Sequence, residues 1–153
     1  MSRSKRRSQS RLRDPERPPP ALGRRVCALD LGERRIGVAM TDAGGSFVTM
    51  RQVLQRSGES CDAATLGAIL DAYAGATLVI GLPLNTDGTE SAQASRTRRW
   101  AGQLLDGRSE PVVWKDEHLT TQAARRGGAA DADVDARAAE ILLLDYLRSQ
   151  SRC

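Results

Sequence analysis

The stretch VCALDLGERRIGVAM, which begins at Val26, constrains the fold more than any other part of the chain. Val26, Cys27, Ala28, Leu29 and Leu31 make a continuous apolar run. That is the pattern of a strand buried on both faces, and such strands lie inside sheets that carry helices on either side. Asp30 interrupts the run. An ionised carboxylate taken out of water costs several kcal/mol unless a cation, a metal or several hydrogen-bond donors meet it, so this position demands compensation. Residues 32–34 then read as a tight turn, and 35–41 as a second strand returning beside the first.

Later patterns extend this hairpin into a mixed sheet. Residues 47–54 alternate as a third strand after the breaker DAGGS, and 59–73 carry Leu66, Ile69, Leu70 and Tyr73 at helical spacing, with Gly75 just beyond. TLVIG from Thr77 is a short buried strand and LPLNTDGTE a loop; 91–105 is an Arg-rich helix stopping at Gly107, and PVVWK from Pro111 is another strand. A short helix is expected over 119–126, and a last one over about 134–148, with Ala138, Ile141, Leu142 and Tyr146 as its apolar stripe. The order βββαβαβαα predicts one α/β domain over 25–150, a mixed five-stranded sheet with helices on both faces. Right-handed crossovers would set the later strands parallel to the first.

Charge is divided unevenly along the chain. Nine of the 23 basic residues fall within positions 1–25, against only Asp14 and Glu16, so this segment carries +7 and the remaining residues −3 of the net charge of +4. Residues 1–24, rich in Arg, Ser and Pro, are expected to form a disordered tail. Such an arm can grip phosphates through counterion release or simply raise solubility, and composition supports both readings. Cys27, Cys61 and Cys153 are odd in number and lack metal-ligand spacing, which argues against disulfides and zinc and fits a cytoplasmic protein. The apolar runs are too short to span a bilayer and no hydrophobic signal segment opens the sequence, so no membrane partner is expected. No Rossmann fingerprint or P-loop occurs, so no nucleotide cofactor is expected either.

In a sheet of this kind, ligands gather beyond the carboxyl ends of the parallel strands. Asp30 near the end of the first strand, Glu117 after PVVWK and Asp135 at the start of the last helix all qualify. Crowded carboxylates repel one another unless a hard cation is shared between them, and Mg²⁺ or Mn²⁺ suits a set of oxygen ligands. Two such ions about 3.5 to 4 Å apart can activate water and stabilise the leaving oxygen of a phosphodiester. Plainer readings stand beside this one. Asp133 and Asp135 could cap the last helix, and Glu117 could be a loop acid paired with an arginine. The apolar flanks of Asp30 fit no solvated surface.

ALDLGERRIGVAMTD from Ala28, VIGLPLNTDGTE from Val79, DEHLTT from Asp116 and VDARAAEILLLDYL from Val134 together resemble the YqgF family. The resemblance implies an RNase H-like fold and a metal-dependent nuclease, described for that family as Holliday-junction-resolvase-like or as maturing the 5′ end of pre-16S rRNA. It maps the metal-binding acids onto Asp30, Glu117 and Asp135, with Mg²⁺ or Mn²⁺ as cofactor. It also implies nucleic-acid contacts at Arg35, Asn85, Asp87, Gly88, Thr89, His118 and Thr120, pre-rRNA or a DNA junction as partner, and a monomer or homodimer. The loop residues have a local reading as well: Asp87-Gly88 makes a turn and Thr89 caps the next helix.

Two features depart from the family pattern. His118 follows Glu117 where Arg is usual, and the segment before Asp135 is short and acidic, so phosphate clamping should be weaker unless the Arg-rich tail or Arg96, Arg98 and Arg99 replace it. With only 3% aromatic residues, recognition would rest on shape and phosphates, whether in an enzyme or in a catalytically weak binding protein. The Asp-x-Gly hairpin is also similar to the phosphate-binding turn of actin-like ATPases. Those need a second domain and a second phosphate loop, which this chain lacks.

Overall fold

The computed structural model describes the backbone of residues 25–73, 75–118 and 132–151, and it is built on a five-stranded sheet in the order β3-β2-β1-β4-β5. β1 (Val26–Leu31), β2 (Arg35–Thr41) and β3 (Val48–Gln55) form an antiparallel meander. β4 (Thr77–Leu84) and β5 (Val112–His118) run parallel to β1. Three helices complete the described part: α1 (Glu59–Ala72), α2 (Ala92–Leu104) and α3 (Ala132–Ser151).

The period-two alternation of the strands sorts the core into two layers. Cys27, Leu29 and Leu31 of β1, with Ile36, Val38 and Met40 of β2, pack beneath Leu66 and Leu70 of α1 and Ala101 and Leu104 of α2. Val26, Ala28, Ala39 and Val79 face the other way, under Ala139, Leu142, Leu143 and Tyr146 of α3. Burying each large aliphatic side chain contributes about 1.5–3 kcal/mol, so both layers hold the sheet between its helices. The turn from β1 to β2 closes through Gly32 N–H donating to the Arg35 carbonyl at 2.9 Å. A Cβ on Gly32 would lie 2.7 Å from that oxygen, so no other residue fits there.

Four boundaries differ from the sequence expectation. β4 continues through Leu84, and β5 continues through His118 by the pairs Leu82–Asp116, Pro83–Glu117 and Leu84–His118. Glu117 therefore lies inside a strand rather than after one; ladder pairing carries the strand past the end of its apolar run. α3 starts at Ala132, which makes Asp135 its fourth residue instead of a cap. α2 is capped by Ser91, whose Oγ accepts from Ala94 N–H at 3.0 Å, and not by Thr89. Residues 1–24 and the helix expected over 119–126, with Thr120, lie outside the described residues. Among the described residues no helix is long and apolar enough to cross a membrane.

Candidate active site

Alternation along β1 puts Asp30 on the face of Val26 and Ala28, beneath α3. On β2 its partner is Gly37. On β4, Leu29 pairs with Ile80, so the next step sets Asp30 beside Gly81, and Gly81 in turn pairs with Lys115 of β5. Across four strands the row therefore reads Gly37, Asp30, Gly81, Lys115, and the carboxylate stands between two residues without side chains. Glycine inside a strand costs roughly 0.5–1 kcal/mol relative to alanine and usually marks a close approach. Two of them around one acid keep a space clear above the sheet.

Glu117 enters that space. A Cβ built on Gly81 would lie 3.5 Å from Glu117 Cγ and 3.3 Å from Leu142 Cδ2, so the glutamate side chain leans across β4 toward the Asp30 side, under α3. Asp30 and Glu117 are each only 6% exposed. Asp135 is seven positions before Leu142 along α3, about two turns. Its side chain lies outside what is described, and among the described residues no three His, Cys, Asp or Glu side chains converge.

Two buried carboxylates above a glycine floor fit a hard divalent cation with oxygen ligands, and the floor would be filled by any β4 side chain larger than hydrogen. Asp30 and Glu117 would hold such an ion from β1 and β5. A bound divalent ion would supply an activated water and charge neutralisation at a phosphodiester. The protein's part is to fix the two carboxylates and to keep bulk water out from beneath α3.

Of the expected nucleic-acid contacts, Arg35 is half-buried at the start of β2. It lies on the α3 face by alternation with Ile36 and Val38, two positions from the glycine opposite Asp30. The segment after β4 folds onto itself. Asn85 N–H donates to Thr89 O at 2.9 Å, Gly88 N–H to Asn85 O at 2.9 Å, and Asn85 Nδ2 to Thr89 Oγ1 at 3.0 Å. Asp87 Oδ1 accepts from Thr89 Oγ1 at 2.6 Å and from Thr89 N–H at 3.0 Å. The Thr89 hydroxyl, followed by the Thr89 N–H, holds the Asp87 carboxyl below its usual range. His118 closes β5 directly after Glu117.

A hollow of about 470 Å³ lies at the opposite end of the strands, near Ala76 and Pro111. Its charges neutralise one another, since Arg108 donates to both Glu110 and Asp71 at 2.7 Å, and no acid is left there for chemistry. Sequence reasoning passed over Gly37, Gly81 and Lys115. The available signal was a glycine inside each of two strand patterns, RIGVAM and TLVIG.

A mixed sheet of this order, with acids gathered where the parallel strands end, defines an RNase H-like α/β protein. The solved structure of Thermus thermophilus RuvC in complex with a Holliday junction substrate matches with a TM-score of 0.54 at 13% identity, covering 84% of this chain and 96% of that one. RuvC of the same organism in a second structure matches with a TM-score of 0.52 at 16% identity, covering 83% and 96%. At those identities the likeness is one of fold.

The chain belongs to the RuvX family, also called YqgF, whose model, described as Holliday junction resolvase, matches residues 24–149. A relative in Rhizobium rhizogenes is 40% identical over 104 residues, covering 68% of this chain and 63% of its own length. One in Brucella anthropi is 38% identical over 148 residues, covering 87% of this chain and 89% of its own. Both bear the name "Putative pre-16S rRNA nuclease". The chain spans somewhat less than two thirds of the Rhizobium relative it matches.

Proposed function

We propose that this chain is a metal-dependent endonuclease that hydrolyses phosphodiesters of structured nucleic acid in the cytoplasm, acting in maturation of the 5′ end of pre-16S rRNA. Asp30, Glu117 and Asp135 are its metal-binding acids, and Mg²⁺ or Mn²⁺ is the metal. The observation that carries the reading is the pair of buried acids held under α3 across a glycine floor. Buried carboxylates that face one space favour a shared hard cation. The names of the relatives favour pre-16S rRNA, whereas the family description favours a Holliday junction. Arg35 and the turn containing Asn85, Asp87, Gly88 and Thr89 border the strand ends where a phosphate backbone would lie, with His118 and Thr120 following Glu117.

One experiment tests the reading and ranks the substrates. A 5′-extended pre-16S rRNA fragment and a four-way DNA junction are each incubated with wild type and Asp30→Asn, in Mg²⁺, Mn²⁺ or EDTA. The expected result is cleavage of the RNA by wild type with either metal, and none with EDTA or with the variant. Binding of both nucleic acids by the variant without any cleavage by wild type would replace the enzyme by a binding protein. Preferential cutting of the junction would move the activity to DNA.

A further inference from the structure

The row Gly37, Asp30, Gly81 ends in Lys115, a half-buried residue of β5. It is the direct neighbour of Gly81, so its Cα–Cβ bond rises on the α3 face, as does that of Glu117 two positions along. Strand spacing puts its backbone about 9.6 Å from that of Asp30, with only the glycine between. A half-buried ammonium with two buried acids on its own face ordinarily closes onto one of them. Lys115 does not: among the described residues its side chain makes no ion pair and no hydrogen bond. Glu117 Cγ instead lies over Gly81, the glycine between Lys115 and Asp30.

The position of Lys115 says which partner it suits. β5 is the edge of the sheet on this side, and α3 packs across β1, β2, β3 and β4. Lys115 therefore stands at the flank from which a ligand reaches the two acids. Within β5, whose sequence is VVWKDEH, it is the only residue charged positively at every physiological pH. A cation directly in that flank, close to acids that hold a metal, serves an anion that must lie over both.

We propose that Lys115 is a substrate contact, its ammonium donating to a non-bridging oxygen of the phosphodiester that lies over Asp30 and Glu117. The assignment rests on the nuclease reading and adds a residue to it. Lys115 binds and orients the phosphate while the carboxylates hold the metal, so the two functions respond to its loss in opposite directions.

The test uses the full chain with Lys115→Gln and Lys115→Arg. Mn²⁺ affinity is measured by calorimetry without nucleic acid, and binding of the 5′-extended pre-16S fragment and of the four-way junction is measured in EDTA between 50 and 300 mM KCl. Lys115→Gln is expected to weaken nucleic-acid binding about five- to tenfold near 0.1 M salt and to lower the salt slope by about one. Its Mn²⁺ affinity should equal or exceed that of wild type, because a neighbouring positive charge has gone. Lys115→Arg should keep the wild-type slope. An unchanged slope in Lys115→Gln, or a parallel fall in Mn²⁺ and nucleic-acid affinity, overturns the proposal. Wild type that binds no Mn²⁺ at all overturns the nuclease reading, and the proposal falls with it.

Discussion

Two aspartates lose nearly the same share of their surface on opposite faces of the sheet: Asp62 in α1 is 5% exposed and Asp30 in β1 is 6% exposed. Asp62 is met by its own neighbours in sequence. Arg56 Nε donates to it at 3.2 Å and Ser57 N–H at 3.0 Å. The same guanidinium donates to the Gly32 carbonyl at 3.2 Å and lies 4.9 Å from the ring of Trp100. Burial disfavours the Asp62 anion, yet the Ser57 N–H, the Arg56 guanidinium and the Gly58 backbone together hold its carboxyl below the ordinary range. Asp30 instead has glycines on both sides and a second buried acid across one of them. In the proposed reading Asp62 serves the fold through donors close to it in the chain, whereas Asp30 serves a ligand from a row of strands distant in sequence.

Replacing the two aspartates in turn is the strongest way to break that contrast. Asp30→Asn should lower cleavage of the pre-16S fragment by about 10³-fold or more, the scale seen when a member of a catalytic unit is removed, while its binding stays within a few-fold. Asp62→Asn should leave cleavage per folded molecule unchanged and lower the urea midpoint. Equal losses of cleavage in both variants at matched folded fraction would mean that the two faces do not differ in kind.

The next effect in size belongs to Arg56. Arg56→Met strands Asp62 without its guanidinium, and breaking a buried ion pair from one side costs about 3 kcal/mol, readable in the urea midpoint at pH 7. The pH dependence follows from the lowered carboxyl. A group whose folded pKa lies below its unfolded value adds stability above the unfolded value, near 3.9 for aspartate, and loses it as pH falls through the folded value. Wild type should therefore exceed Asp62→Asn in stability by a constant margin from about pH 5 to 8, and the margin should shrink below about pH 4. A margin that grows toward acid would refute the assignment.

The succession of elements, the mixed sheet with helices on both faces and the burial of Asp30 could be read from the sequence, because the apolar periods mark each element and a continuous apolar run broken by one acid marks a buried strand. The ends of β4 and β5 could not. Pro83, Asp116 and Glu117 carry no apolar pattern, and only the ladder pairs with the neighbouring strand extend the elements through them. Thr89 was a reasonable cap on local grounds, yet Ser91 takes that place by also donating from Oγ to the Pro83 carbonyl at 2.7 Å. The acids stood out by residue type, but the floor beneath them did not. Gly37 and Gly81 become neighbours of Asp30 through register across strands distant in sequence, which no window along the chain contains.

Gly81 gives a smaller effect that sharpens the comparison. In Gly81→Ala the new Cβ would press on Leu142 Cδ2 at 3.3 Å and touch Glu117 Cγ at 3.5 Å. Displacing the groups around a metal ligand commonly costs about 10- to 100-fold in metal affinity, so Mn²⁺ binding should fall by an amount at the lower end of that range. Stability should change little, since alanine recovers roughly 0.5–1 kcal/mol of backbone entropy against the crowding. Unfolding of the variant would make Gly81 a packing glycine, and unaltered Mn²⁺ affinity would remove it from the site.

The smallest effect is expected at Arg98, back on the face of Asp62. Its guanidinium lies 4.8 Å from the ring of Trp114 and pairs with Glu90, the residue that bridges to Leu84 at the exit of the turn. Both partners of the pair are well exposed, at 40% and 48%, so Arg98→Ala should cost only about 0.5–1 kcal/mol, mostly from the ring contact. At 1 M KCl the ion pair is screened, and the cost should change by no more than a few tenths of a kcal/mol. Cleavage should stay within about twofold of wild type, because the turn from Asn85 to Thr89 closes through its own backbone bonds without Arg98. A tenfold loss of cleavage with stability intact would carry the functional surface around the edge of β5 onto the α2 side, and the division between a face that holds the fold and a face that does the chemistry would no longer stand.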